Sequence, residues 1–365
     1  MCFRLSKNKK TKIKIDDYSK IKIPKDYTMV KISSYNISLN NSVNLDRKIK
    51  EIISYIISNF NNKSIDILNL QEINDNTSLH VFIEEFKKYC LTERVKYYFS
   101  PPFNNINPSI HKNENHSPTS SIHMIEKSFD SFELSINEKK KKIIHNVIIS
   151  KYPIVSTIYT ELDDETDIDD ILGIQILVGA NILINNTILS VFNINLSQDI
   201  QAAQLINSDV RNTELDCILK VIKLNNKSLQ EEAYKQYTKS GITMISGTFN
   251  ISEINQNNEI NDEYDRLISK CHLIDIYRII NEKNHGFTTI SKERLNYIFF
   301  HMTEDFYEEG SENLDIIMKN KNVDVLKNRI FKRYKLHFFD YYVLESHDNL
   351  STYFPIECVF MISHI

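Results

Sequence analysis

Residues 241–250 read GITMISGTFN. The run has the make-up of a buried β-strand that ends in a turn, with Thr248 and Asn250 on either side of Phe249. The strand tip is placed to carry chemistry, yet Thr248 cannot ionise. The chain on both sides supplies the context. Upstream, residues 200–224 put Leu215, Ile218, Leu219 and Ile222 on one helical face, which predicts a long helix. Before it, NVIISKYPIVSTIYTEL and LSVFNINL predict strands. Further back, Ile49, Ile52, Ile53, Ile56, Ile57 and Phe60 form one apolar helix stripe, with Asn44 as its N-cap. The strand SIDILNLQE follows, ending on a carboxylate, and then a second amphipathic helix with Leu79, Phe82, Ile83 and Phe86 inward. Downstream come a polar segment, LIDIYR, GFTT and RLNYIFF, and a closing pair of strands. This alternation predicts an α/β (α+β) layered domain.

The bulk properties narrow the function. At 365 residues and 41% hydrophobic, the chain can bury a substantial core. A formal net charge of −4 gives no global pull toward nucleic acid. Cys2, Cys90, Cys217, Cys271 and Cys358 are odd in number and include no C-x-x-C pair. That spacing argues against a disulfide framework or a zinc site and fits an intracellular, reducing compartment, the cytoplasm or a virion. No apolar run reaches membrane length, so no membrane span is expected. The abundance of Asn, Ile and Lys resembles coding by an AT-rich genome, as in some large DNA viruses and protists.

Four segments stand outside the layered pattern. Residues 1–28 are a basic extension, read as a solvated arm or as a patch for an anionic surface. Residues 103–142 and 303–335 are polar insertions, expected on the surface of a domain spanning 29–365. The acidic run DDETDIDD (163–170) lacks the glycine and terminal Glu of an EF-hand loop and reads as a solvated hairpin tip. The Lys- and aromatic-rich run 327–342 reads as an element with lysines lying along its surface, or as a stacking platform for single strands.

The order of the strand tips resembles the endonuclease/exonuclease/phosphatase superfamily, which includes DNase I-like nucleases, sphingomyelinases, inositol phosphatases and deadenylases. SSYNI places Asn36, and NLQE places Glu72, where that family holds a metal ion. NVIISKYPIVS is similar to its AILSRYPI strand, and LIDIYR…GFTT…RLNYIF to its LVDAFR…GFTW…RIDYIF. The resemblance runs from about residue 29 to 362. It implies a four-layer sandwich, two β-sheets packed face to face with helices outside. It also implies Mg²⁺-assisted hydrolysis of phosphoric esters.

The same alignment of motifs implies where chemistry is lost. GDFN is GTFN here, so Thr248 stands for the water-orienting aspartate while Asn250 is kept. THL is INL, which puts Asn195 in place of a histidine; RIDYI is RLNYI, which puts Asn296 in place of an aspartate. SDHYPI is STYFPI, so Thr352 and Tyr353 replace the Asp–His pair. Thr and Asn accept no proton near neutral pH, and an ordinary Tyr titrates near 10. The expectation is a pseudoenzyme with a binding or structural role, no required cofactor and at most weak Mg²⁺ at Asn36 and Glu72. Glu72 also reads as an ordinary strand-end carboxylate, and Asn250 as a side chain capping its own turn. Arg294 can meet a phosphate, or pair with a neighbouring carboxylate or backbone carbonyl. His285 reads as a loop histidine, and His347 and Asp348 as loop residues or stand-ins for the lost pair. The alternatives are a divergent Mg²⁺-dependent phosphodiesterase and a nucleic-acid-binding module in the old groove. A protein partner is also open. Asn36, Glu72, Asn195, Thr248, Asn296 and Tyr353 are expected to converge at one end of the sandwich.

Overall fold

The computed structural model describes residues 23, 25–38, 45–63, 65–73, 76–93, 96–100, 143–162, 174–199, 208–230, 238–254, 259–281, 286–289, 291–301, 330, 336–344, 351 and 353–363. Twelve strands are present among them: β1 Tyr27–Asn36, β2 Ile67–Ile73, β3 Tyr98–Ser100, β4 Ile143–Ser150, β5 Ile154–Leu162, β6 Ile174–Ile184, β7 Thr187–Asn195, β8 Thr238–Thr248, β9 Leu273–Asp275, β10 Asn296–His301, β11 Leu336–Val343 and β12 Ile356–Ser363. The helices are α1 Leu45–Lys63, α2 Asn76–Glu93, α3 Ser208–Ser228, α4 Asp262–Ser269 and α5 Ile276–Ile280. One half-sheet runs β11-β12-β1-β2-β4, with β3 on β4; the other runs β6-β7-β8-β10-β9, with β5 on β6. A short parallel contact, Ile143 with Ile174 and Ile144 with Gln175, joins the two along β4 and β6.

Strand alternation sorts the side chains into layers. Val30 and Ile32, Ile67, Ile148, Ile176 to Ile184 on even positions, Leu189 and Val191, Ile242 and Met244, and Ile298 and Phe300 fill the core between the sheets. Their neighbours on the opposite faces build two outer cores. Tyr35, Leu68, Leu70, Val147 and Ile149 pack under α1 and α2, against Ile49, Ile52, Ile53, Ile56, Leu79, Phe82, Ile83 and Phe86. Phe192, Ile194, Ile245, Phe249, Tyr297 and Phe299 pack under α3 and α4, against Leu215, Ile218, Ile222 and Leu267. The result is the expected four-layer sandwich.

Several expectations change in detail. The third helix extends to Ser228, four residues past the predicted end. Leu219 lies at the edge of its packed face, partly buried. The polar segment after Asn250 contains α4, whose N-cap Asn261 accepts from the Glu263 N–H. That helix escaped the sequence reading because it buries only Tyr264 and Leu267 under a strongly acidic first turn. Asn44, His285, the run 163–170 and residues 101–142 lie outside the described residues, as do residues 1–22 and all of 302–335 except Ile330, which is buried. No described helix is long and apolar enough to cross a membrane.

Candidate functional site

The site residues follow from the same alternation. In β1, Asn36 shares the inward parity of Val30 and Ile32; in β8, Thr248 shares that of Ile242 and Met244. Asn195 continues Leu189 and Val191, and Asn296 begins the series Ile298, Phe300. Register aligns them across three strands: Asn195 pairs with Thr248 in the parallel β7–β8 ladder, and Asn296 pairs with Thr248 in the antiparallel β8–β10 ladder. Gly247, between core and tip, has φ +143, and a Cβ there would lie 1.9 Å from the Ile194 carbonyl oxygen. Only glycine lets β8 approach β7 so closely.

Glu72 needs a special device. By parity with Leu68 and Leu70 it belongs on the helix-covered face. The β2–β4 register slips between Leu70 and Ile73, and Glu72 takes φ +61. This bulge re-aims the carboxylate. The Asn36 Nδ2 donates to Glu72 Oε1 at 2.7 Å and to Thr248 Oγ1 at 2.8 Å. The Asn36 Oδ1 accepts from the Ser38 N–H at 3.0 Å. That contact fixes the amide's orientation: a flipped side chain would set oxygen against the Glu72 carboxylate and N–H against N–H.

The other predicted residues close the site. Asn195 donates to Gln175 Oε1 at 2.9 Å. Asn296 is fully buried, and neither amide atom meets a described hydrogen-bond partner. Tyr353 is anchored by a bridge to Thr289, and burial together with the charges of Glu72 and Glu293 holds its phenol well above the usual tyrosine range. It is therefore a hydroxyl donor at neutral pH. Ser351 ties the loop down by donating to the Asn36 carbonyl at 2.7 Å. Asn250, at φ 54, does not cap its own turn; it donates to the Leu196 carbonyl at 2.6 Å and clamps the end of β7. Thr352, His347 and Asp348 lie outside the described residues.

Beside the tips lies a cleft of about 800 Å³, bordered by Asn250, Ser252, Phe287, Lys292, Glu293 and Tyr353. Arg294 also reaches its wall, but its guanidinium is committed. It pairs with both Asp275 oxygens at 2.7 and 2.6 Å and stacks between Tyr277 and Tyr297. Of the readings of Arg294, the carboxylate pair is the one present. Arg211, 1% exposed, is similarly held by Glu263 and Asp199. Arg211 was not singled out by the sequence pattern, because salt-bridge partners 52 and 12 residues away leave no periodic signal.

A divalent cation does not fit this donor set well. Mg²⁺ takes oxygen ligands in near-octahedral array. Glu72 supplies oxygen, but Asn36 turns N–H rather than oxygen toward it. Among the described residues no cluster of three His, Cys, Asp or Glu side chains is placed to hold a metal. The thiols of Cys90, Cys217, Cys271 and Cys358 are free.

No protein-family model and no curated protein matches the sequence. Solved structures do. An endonuclease/exonuclease/phosphatase family protein from Leptotrichia buccalis aligns over 90% of this chain and 98% of its own, at 16% identity and TM-score 0.51. A family protein from Bacteroides thetaiotaomicron aligns over 92% and 99%, at 15% identity and TM-score 0.53. A mannosyl-6-phosphatase from the same species aligns over 90% and 98%, at 14% identity and TM-score 0.51. Over nearly its whole described length, the chain has the DNase I-like fold of endonuclease/exonuclease/phosphatase proteins.

Proposed function

We propose that the protein is a non-hydrolysing binding module, a pseudoenzyme built on this fold, whose ligand enters the cleft beside the strand tips. One observation carries the reading. The Asn36 amide donates to both Glu72 and Thr248, so the retained carboxylate is tied to a neutral amide that also holds a hydroxyl. Around it, Thr248, Asn195 and Asn296 offer no base near neutral pH, and Tyr353 is held protonated. General acid–base groups contribute about 10²- to 10⁴-fold each, so a site lacking them loses most of its rate. Among the described residues the cleft is bordered by Asp199, Glu253, Glu263 and Glu293 and by Arg211, Lys292 and Arg294; ion pairs engage all but Glu293 and Lys292, so it offers a polyanion no excess of positive charge. This weighs against the nucleic-acid reading. The phosphodiesterase reading keeps one support, the positive φ of Glu72, since backbone strain concentrates at working sites.

The discriminating assay is Mg²⁺-supplemented hydrolysis of a panel of phosphodiesters and phosphomonoesters by the wild type and Glu72→Ala. Equal background from both is expected. Robust wild-type turnover that disappears in Glu72→Ala rejects the proposal in favour of a divergent phosphodiesterase.

A further inference from the structure

We infer that Lys48 supplies, from within the chain, the positive charge that a divalent ion would otherwise bring to Glu72, making the strand-tip site metal-independent. The helix geometry places it there. Lys48 is one turn before Ile52 and two before Ile56, so it sits on the stripe of α1 that faces the sheet. At this end of the helix the stripe reaches the strand tips. The half-buried Nζ donates to the Ser38 carbonyl at 3.0 Å. The Ser38 N–H in turn donates to Asn36 Oδ1, and Asn36 Nδ2 to Glu72. The carbonyl and the N–H of Ser38, on either side of a Cα held at φ 41, therefore link the ammonium to the amide that faces the carboxylate. Glu72 is the charged group whose field acts on Lys48, offsetting part of what burial costs the ammonium.

Two consequences set this arrangement against a metal. The ammonium and the Glu72 carboxylate, linked through Ser38 and Asn36, carry single opposite charges. A divalent ion at Glu72 would add a second cation within reach of Lys48, and like charges repel strongly in a partly desolvated site. The ammonium bond also helps hold Ser38 where its N–H orients Asn36, and that orientation points hydrogen rather than oxygen at Glu72. Lys48 thus opposes a metal twice, by charge and by fixing the amide.

The inference concerns the site described above, but its test is separate from catalysis. Mn²⁺ binding is measured by electron paramagnetic resonance for the wild type, Lys48→Met, Lys48→Gln, Glu72→Gln and the Lys48→Met/Glu72→Gln double variant. The wild type should bind no more tightly than Glu72→Gln. Lys48→Met should gain affinity by about tenfold or more, the scale of one removed like charge at short range, and the gain should vanish in the double variant. Lys48→Gln keeps a donor for the Ser38 carbonyl while removing charge, so it should show the part of the gain that charge alone supplies, and it serves as the test if Lys48→Met fails to fold. Unchanged Mn²⁺ affinity in the folded Lys48 variants overturns the inference. So does tight wild-type binding that is lost in Glu72→Gln. An inactive protein whose Lys48 variants gain nothing would leave the pseudoenzyme reading standing and remove this one.

Discussion

At the scale of single residues, two neighbours in the same ladder should respond oppositely to mutation. Thr248 accepts one of the two Asn36 N–H bonds, and both groups are buried. Thr248→Val leaves that N–H without its partner, at a cost of about 1–2 kcal/mol. Asn296 makes no side-chain bond to the described protein although it is fully buried. Asn296→Leu breaks nothing and removes desolvated polar atoms, so it should be neutral or stabilising by up to about 1 kcal/mol. Urea-denaturation midpoints of the two variants check the pair. A comparable loss in both would mean that Asn296 is held by a bond as strong as that of Thr248. The motif resemblance singled out these positions in the sequence. It did not show Lys48, whose one signal was a lysine four residues before Ile52 in an apolar stripe, a placement equally typical of a side chain that merely lies along the surface.

Elements that bury a regular face were legible, because burial imposes a period that composition displays. The stripes of α1 and α2 are of this kind, while β7 and β8, buried on both faces, show as short apolar runs instead. Elements held by isolated contacts were not. The short helix α4 rests on an N-cap and on the Glu263–Arg211 pair, and the β2 bulge rests on bonds from another sheet. The entry to β2 shows how such a local contact governs pH response. Asp66 takes the Lys31 N–H at 2.9 Å; its own N–H donates to the Lys31 carbonyl of β1, and its carbonyl accepts from Lys151, just past β4. Burial is the largest influence on its carboxyl and raises its pKa above the usual aspartate value, with Lys31 and Lys151 opposing. A raised folded pKa means that the charged form is penalised on folding, and the penalty applies above that pKa. Asp66→Asn retains an oxygen for Lys31 and has no charge to desolvate. It should match or exceed the wild type in stability at neutral pH, and the difference should close as pH falls through the raised carboxyl range. Thermal melts across that range test the sign; a wild type that gains on Asp66→Asn with rising pH would reverse it.

For the molecule as a whole, the two sheets meet through apolar side chains over most of their contact but through amides and hydroxyls at the site end. Asn69 bonds Ser246, and Gln71 Nε2 donates to Asn193 Oδ1 at 2.6 Å. Asn193 reaches from β7 into the opposite sheet and donates to the carbonyls of Leu70 and Val147 at 2.8 and 2.9 Å. Those two residues are the last regular pair of the β2–β4 ladder before the register slips. A side chain of one sheet thus satisfies the other sheet at the point where the bulge turns Glu72 inward. This arrangement makes the site a property of the assembled sandwich rather than of either half. Asn193→Leu should cost both carbonyls and the Gln71 amide one partner each, about 3 kcal/mol or more in all, each lost buried bond being worth about 1–3 kcal/mol. Gln71→Leu alone should cost less, since Gln71 serves only Asn193 and Ser34. The Gln71→Leu/Asn193→Leu double variant should be no worse than the sum and should recover part of it, because the coupled pair is removed together. Strict additivity in that urea-monitored cycle would mean that the two amides act independently and that the bulge is held by its own strand.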